Sequence, residues 1–112
     1  MSNPTHQRID ELVKGNDFLL FMKGTASFPQ CGFSGRAVQI LKAVGVDPKA
    51  LKTVDVLTDP EIRQGIKEYS NWPTIPQFYL RGEFVGGSDI LYELYESGEL
   101  QQLVAGTAPA AQ

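Results

Sequence analysis

Asp17-Phe18-Leu19-Leu20-Phe21-Met22-Lys23 decides how this chain folds. Phe18 to Met22 is apolar without a break, whereas a strand with one face in water would alternate, so the segment predicts a strand covered on both faces. Helices must then flank it. Working outward, Gly24 to Gly32 is rich in turn formers, and beyond Cys31 the residues Ala37, Ile40, Leu41 and Val44 recur at helical spacing until Gly45 supplies a stop. A helix therefore begins directly after Cys31. On the other side, Asn3-Pro4 opens a helix with proline at its first position, and Ile9, Leu12 and Val13 form a short apolar stripe that ends at Gly15.

Further along, Leu51 to Leu57 predicts a second strand. Thr58 and Glu61 have capping-box spacing around Asp59-Pro60, which opens a third helix carrying Ile62, Ile66 and Tyr69 inward. Trp72-Pro73-Thr74-Ile75-Pro76 cannot continue that helix, because each proline biases its predecessor toward extended geometry. It is a loop entering a strand. Gln77 to Leu80 and Glu83 to Val85 flank Arg81-Gly82 as a two-residue hairpin. Gly86-Gly87-Ser88-Asp89 then leads into a helix with Leu91, Leu94 and Tyr95 on one face, stopped by Gly98, and Leu100, Leu103 and Val104 give a further turn or two. The order is αβαβαββα plus a short terminal helix, an α/β fold with a four-stranded mixed sheet flanked by helices. Residues 1–105 form one domain in this reading, and the tail 106–112 is expected to be disordered.

The chain has 112 residues, 42% of them hydrophobic, enough for one core and no second domain. Its formal charge of −3 argues against a nucleic acid or an anionic membrane surface as partner. The longest apolar run is far short of the roughly 20 residues of a membrane span. The N-terminus, Met-Ser-Asn-Pro-Thr-His-Gln-Arg, has neither a secretory apolar core nor an Arg-rich transit character. A cytoplasmic location is expected, the bacterial cytosol first, or an organelle matrix if a presequence has been removed. One cysteine excludes an internal disulfide and suits a reducing compartment. With one histidine besides, a closed four-ligand zinc site of Cys and His cannot be built in one chain.

Cys31 sits where a loop becomes a helix, near unpaired N–H groups and the positive end of the helix dipole, both of which favour thiolate. Two readings stand: an activated sulfur, or a small buried hydrophobe. Lys23 ends the first strand before Gly24, so its ammonium can swing over the loop toward Cys31, or remain in solvent. Phe33 either lies beside the sulfur or packs. At Gly86 and Gly87 missing side chains let a ligand approach the backbone, and the helix that opens there can receive a carboxylate. Asp89 can also serve as an ordinary N-cap. His6 has no acidic or cysteine cluster beside it and is expected in solvent; Trp72 either lines one end of a groove or, the preferred reading, packs beneath its loop.

Lys23, then Cys31-Gly32-Phe33-Ser34, Trp72-Pro73-Thr74-Ile75-Pro76 and Gly86-Gly87-Ser88-Asp89 together resemble a monothiol glutaredoxin of the Cys-Gly-Phe-Ser type, a match spanning roughly residues 5 to 105. The resemblance implies a thioredoxin-like fold, glutathione binding, and a glutathione-ligated 2Fe-2S cluster held in a homodimer or with BolA-type proteins. Cys31 would be the catalytic sulfur and the cluster ligand. Ser34 stands where dithiol relatives carry a second cysteine, so an oxidised Cys31 would need an external thiol to rescue it, and glutathione is the thiol the family uses. The resemblance gives Lys23 and Arg63 the glycine carboxylate of glutathione, with Lys67 left unassigned. It makes Pro76 a cis-proline that turns the backbone of Ile75 toward the tripeptide, places Phe33 beside the sulfur, and gives Gly87, Ser88 and Asp89 the γ-glutamyl end.

Such a cluster usually takes four thiolates, and two chains with two glutathiones supply four. A symmetric dimer with exchangeable ligands suits a carrier that binds and transfers clusters to apo iron-sulfur acceptor proteins in iron homeostasis. The alternative is a glutathione-dependent thiol-disulfide oxidoreductase that deglutathionylates proteins through the same groove. Gly32-Phe33-Ser34 and the long Thr25–Gln30 loop favour the carrier by resemblance. A third reading is an interaction module with an inert Cys31, for which the thiol pKa would be about 8.5.

Overall fold

The computed structural model describes residues 3–106. Helix α1 (Pro4–Gly15) leads to β1 (Phe18–Met22), α2 (Gly32–Ala43) and β2 (Leu51–Asp55). A 3-10 turn (Val56–Thr58) precedes α3 (Pro60–Ser70), the strands β3 (Gln77–Leu80) and β4 (Glu83–Gly86), and the helices α4 (Ser88–Ser97) and α5 (Glu99–Ala105). The sheet order is β2-β1-β3-β4. β1 pairs parallel with β2, where Phe18 faces Leu51, and antiparallel with β3, where Phe21 faces Gln77. β3 and β4 form the hairpin read from sequence, with Arg81 and Gly82 both at positive φ, 48° and 88°.

The unbroken apolar run of β1 has its physical reason in the central position of that strand. Leu20 and Met22 enter a core with Ala37, Val38 and Leu41 of α2 and Leu91 of α4. Leu19 and Phe21 face the other way, onto Ile9 and Val13 of α1 and Ile62 and Ile66 of α3. Successive strand residues point to opposite faces, so a strand with helices on both sides needs every position apolar.

β1 and β4 differ from the sequence reading by at most one residue at either end, and larger differences fall at the end of β2 and the start of α3. β2 stops at Asp55 because Asp55 Oδ1 accepts the Leu57 N–H at 2.9 Å and turns the chain into the 3-10 turn. The expected Thr58–Glu61 capping box is absent: Asp59 caps α3, accepting the Ile62 N–H at 3.1 Å, while the Thr58 hydroxyl donates to the Asp55 carbonyl. His6 is not in open solvent. Its Nε2 lies 3.0 Å from Glu68 Oε1 across α1 and α3, a partner 62 positions away that no local reading could supply. Of the tail 106–112, Gly106 is described, as the C-cap of α5 with its N–H donating to the Leu103 carbonyl at 3.1 Å, and the expectation for residues 107–112 lies outside the described residues.

Candidate functional site

The chain leaves β1 through Gly24, whose φ is +89°, and folds straight back on itself. The Gln30 N–H donates to the Lys23 carbonyl at 2.9 Å, and Gly24 pairs with Pro29 in an isolated bridge. The return is so close that a Cβ at Gly24 would lie 2.6 Å from both the Gln30 nitrogen and the Phe28 oxygen. Only glycine permits it. The consequence is that Cys31 arrives beside the end of β1 already positioned as the N-cap of α2, in extended geometry with φ −155°.

Cys31 is half-buried. Burial alone would push its thiol up, but the N–H groups of Ser34 and Phe33, the Ser34 hydroxyl and the Lys23 charge outweigh that and hold it below its ordinary value. Ser34 is fully buried and works on both sides. Its Oγ accepts the Lys23 N–H at 3.0 Å, which leaves the hydroxyl hydrogen free to donate to the sulfur. The serine that replaces a second thiol is thus wired to the first. Among the open readings, the activated sulfur is the one this environment produces.

Beside the sulfur lies a groove of about 390 Å³. Lys23 from the end of β1, Phe33 from α2 and Arg63 from α3 line it together with Ile75 and Pro76 of the loop before β3 and with Gly87, Ser88 and Asp89 at the start of α4. Cys31 is not among the lining residues. It meets the groove through Phe33 and Lys23, which act on its sulfur and face the groove at once. Phe33 is 59% exposed, so the packing alternative for it falls away.

The charges of this groove come from different elements. Lys23 at the end of β1 and Arg63 and Lys67 on α3 supply cations, whereas the start of α4 offers Asp89 and its first N–H groups. Lys67, unassigned from sequence, had a readable signal: it stands four positions after Arg63, on the same face of α3. Of the two readings of Trp72, the preferred one, packing beneath its loop, is not realised. Instead it lines the groove, 41% exposed, against Phe84 at a ring distance of 6.1 Å. No local pattern announces that contact, since Phe84 lies on the far strand of the hairpin.

Gly87 rather than Asp89 is the N-cap of α4, so Asp89 is not spent on capping. Its carboxylate instead meets Arg36 Nη1 at 3.2 Å, and Arg36 rests 4.5 Å above the Tyr92 ring. A Cβ on Gly87 would lie 2.9 Å from the Pro76 carbonyl oxygen. What approaches this glycine in the fold is therefore the backbone of the loop itself. The Ile75–Pro76 peptide bond is cis, as the resemblance implied. The Ser88 hydroxyl lines the groove, buried and without a hydrogen-bond partner. A buried hydroxyl left unpaired costs free energy, so a polar group entering here would be welcomed. Among the described residues there is no group of three or more His, Cys, Asp or Glu side chains placed to hold a metal ion.

A mixed four-stranded sheet flanked by helices, with a lone cysteine at the head of α2 and a cis-proline ahead of β3, defines the thioredoxin-like fold. The comparisons with known proteins narrow this. The glutaredoxin family model matches residues 18–85. An uncharacterized monothiol glutaredoxin of Synechocystis is 61% identical over 104 residues, covering 93% of this chain and 94% of that protein. The mitochondrial monothiol glutaredoxin-5 of Schizosaccharomyces pombe is 51% identical, covering 93% of this chain and 71% of its own. The solution structure of reduced poplar apo GrxS14 superposes with a TM-score of 0.75 at 50% identity, covering 88% of each chain. The chain belongs to the glutaredoxin family, as a monothiol member of the Cys-Gly-Phe-Ser type.

Proposed function

We propose that this glutaredoxin binds glutathione in the groove and, through Cys31 and that glutathione, carries a 2Fe-2S cluster as cargo. The observation that carries the reading is the pairing of a single stabilised thiolate with a groove lined by both cations and a carboxylate. Lys23 and Arg63 suit the glycine carboxylate of the tripeptide, with Lys67 beside them. The unpaired Ser88 hydroxyl and the start of α4 suit the γ-glutamyl carboxylate, and Asp89 its ammonium. Ile75, ahead of the cis Pro76, supplies the backbone edge against which an extended peptide pairs, and Phe33 covers the sulfur.

One thiolate per chain cannot hold the cluster alone. Two chains and two glutathiones give the four sulfurs such a cluster takes, so the loaded species is a homodimer. Each chain's own part is to keep Cys31 ionised and to fix glutathione with its sulfur alongside. Half the ligands are exchangeable, which suits transfer to apo iron-sulfur acceptors or shared holding with a BolA-type protein in iron homeostasis. The reading places residues 1–105 in one working domain and the protein in a reducing compartment, the cytosol or an organelle matrix. No described helix is long and apolar enough to cross a membrane.

A second reading is favoured by the lowered Cys31 pKa, which a nucleophile also needs. The thiolate attacks the glutathione sulfur of a protein mixed disulfide, the protein leaves as thiolate, and a second glutathione thiolate attacks to release glutathione disulfide and regenerate Cys31. Anaerobic reconstitution with iron and sulfide, with and without glutathione, separates the two. Glutathione-dependent visible absorption, with about one iron per chain in a dimer, is expected for the carrier. No cluster under either condition, with turnover of a glutathionylated protein, establishes the oxidoreductase instead.

A further inference from the structure

The loop that brings Ile75 and Pro76 to the groove has a support that neither the sulfur chemistry nor the ligand contacts explain. Gln77, the residue after Pro76, is completely buried at the start of β3, where its backbone registers with Phe21 on the central strand. Its side-chain amide is used at both ends. Nε2 donates to the carbonyls of Trp72 at 3.1 Å and Thr74 at 3.2 Å, and Oε1 accepts the Tyr79 hydroxyl at 3.2 Å. Because the two backbone carbonyls can only accept, the amide nitrogen is the atom that must face the loop, and Oε1 is left to accept from the Tyr79 hydroxyl. Tyr79 is itself fixed, 2% exposed, with its ring edge-on to Phe21 at 5.7 Å and near Phe84 at 5.4 Å.

We propose that Gln77 is a positioning residue for glutathione binding. Clamped by Tyr79, its amide holds the Trp72 and Thr74 carbonyls inward and thereby sets the direction in which the Thr74-Ile75 backbone faces the groove. This rests on the glutathione reading above. The chemistry is specific to an amide. A carboxylate would confront two carbonyl oxygens with no donor, and an apolar side chain of the same length would fill the space and leave both carbonyls unpaired. Buried polar groups satisfied at every end fix a unique arrangement, and here the arrangement fixed is a ligand-binding wall.

The test uses the full chain with Gln77→Met, Tyr79→Phe and, as a stability control in the other core cluster, Leu100→Val. Glutathione affinity is measured by titration calorimetry, with Trp72, the only tryptophan, as a fluorescent reporter inside the loop itself. In protein shown to be folded at the working temperature, Gln77→Met is expected to weaken glutathione about tenfold, the scale of one to two hydrogen bonds, and to make Trp72 more accessible to quencher. Tyr79→Phe shifts both readings the same way by less, while Leu100→Val lowers the melting temperature and moves neither. A Gln77→Met protein with unaltered affinity and quenching, whatever its melting temperature, overturns the proposal. Should that variant not fold, unaltered readings in Tyr79→Phe overturn it equally. If the unsubstituted chain binds no glutathione, the functional reading fails, and Trp72 quenching alone decides whether the clamp exists.

Discussion

The two sides of the groove are built by different physics. On the β1–α2 side, polar groups converge on one atom: the Lys23 N–H reaches Ser34, Ser34 reaches Cys31, and the first N–H groups of α2 point at the same sulfur. On the side formed by residues 72–76 and the start of α4, shape dominates. A buried amide holds the loop from below, and a missing side chain at Gly87 lets the Pro76 carbonyl close in from above. One side makes a charge and the other makes a mould. The lesson is that reactivity and ligand selection are separable here, and substitutions can break one while sparing the other.

The largest separation comes from Cys31→Ser. Removing the only thiol is expected to abolish cluster absorption on reconstitution and all mixed-disulfide formation, while glutathione still binds non-covalently within a few-fold of its usual affinity, a small fraction of the total binding energy. A variant that retained its cluster would remove Cys31 as ligand. Gly87→Ala probes the opposite side. The new methyl meets a backbone oxygen at 2.9 Å, which cannot swing away as a side chain would. Overpacking of this kind costs about 1–3 kcal/mol of folding stability. Glutathione affinity is expected to fall about tenfold, equivalent to some 1.4 kcal/mol, with the Cys31 titration unmoved. Calorimetry beside a thiolate titration checks both halves, and a shifted Cys31 pKa would show that the sides are coupled after all.

The same division governs what the sequence made legible. The charge-making side was readable because its parts are neighbours: an apolar strand, a turn, a cysteine and the start of a helix lie within Phe18 to Ser34. The hairpin, the parallel pairing of β1 with β2 and the mixed sheet followed from run length and turn chemistry in the same way. The mould was only partly readable. Pro76 and Gly87 stood out as residue types, yet the contact between them depends on how α4 docks, and Trp72 joins the groove through Phe84 on another strand. Gln77 carries no signal at all in a sequence, since a glutamine in a strand reads as an exposed position until packing buries it. The Thr58 capping box failed for a related reason: the Thr58 hydroxyl turns back to the Asp55 carbonyl, and Asp59, one position later, caps the helix.

A finer cut is possible within the charge-making side. Ser34→Ala removes a buried hydroxyl that accepts one hydrogen bond and donates another, leaving the Lys23 N–H unpaired at a cost of about 1–3 kcal/mol. The Cys31 pKa is expected to rise toward the ordinary thiol value, read from ultraviolet thiolate absorbance against pH, and the rate of alkylation at neutral pH to fall with it. An unmoved titration would mean that the Ser34 hydroxyl does not reach the sulfur.

Lys23→Gln is the smallest and most discriminating change, because it removes only a charge. In the folded chain the Cys31 pKa lies below its unfolded value, so ionisation stabilises the fold. That contribution is complete above the unfolded thiol value of about 8.5 and is lost as pH falls through the folded one. Lys23 is the weakest of the influences that lower this pKa, so its loss should raise the titration less than Ser34→Ala does. The two also differ in mechanism. A partly exposed charge acts through a medium that salt screens, with a Debye length of about 8 Å at physiological ionic strength. The hydroxyl acts by direct hydrogen bonding, which salt does not reach. The gap between unsubstituted protein and Lys23→Gln should therefore narrow as salt is added, while the gap to Ser34→Ala holds. A salt-independent Lys23 effect would mean that the ammonium bonds the sulfur directly, and that the charge-making side is a contact network throughout.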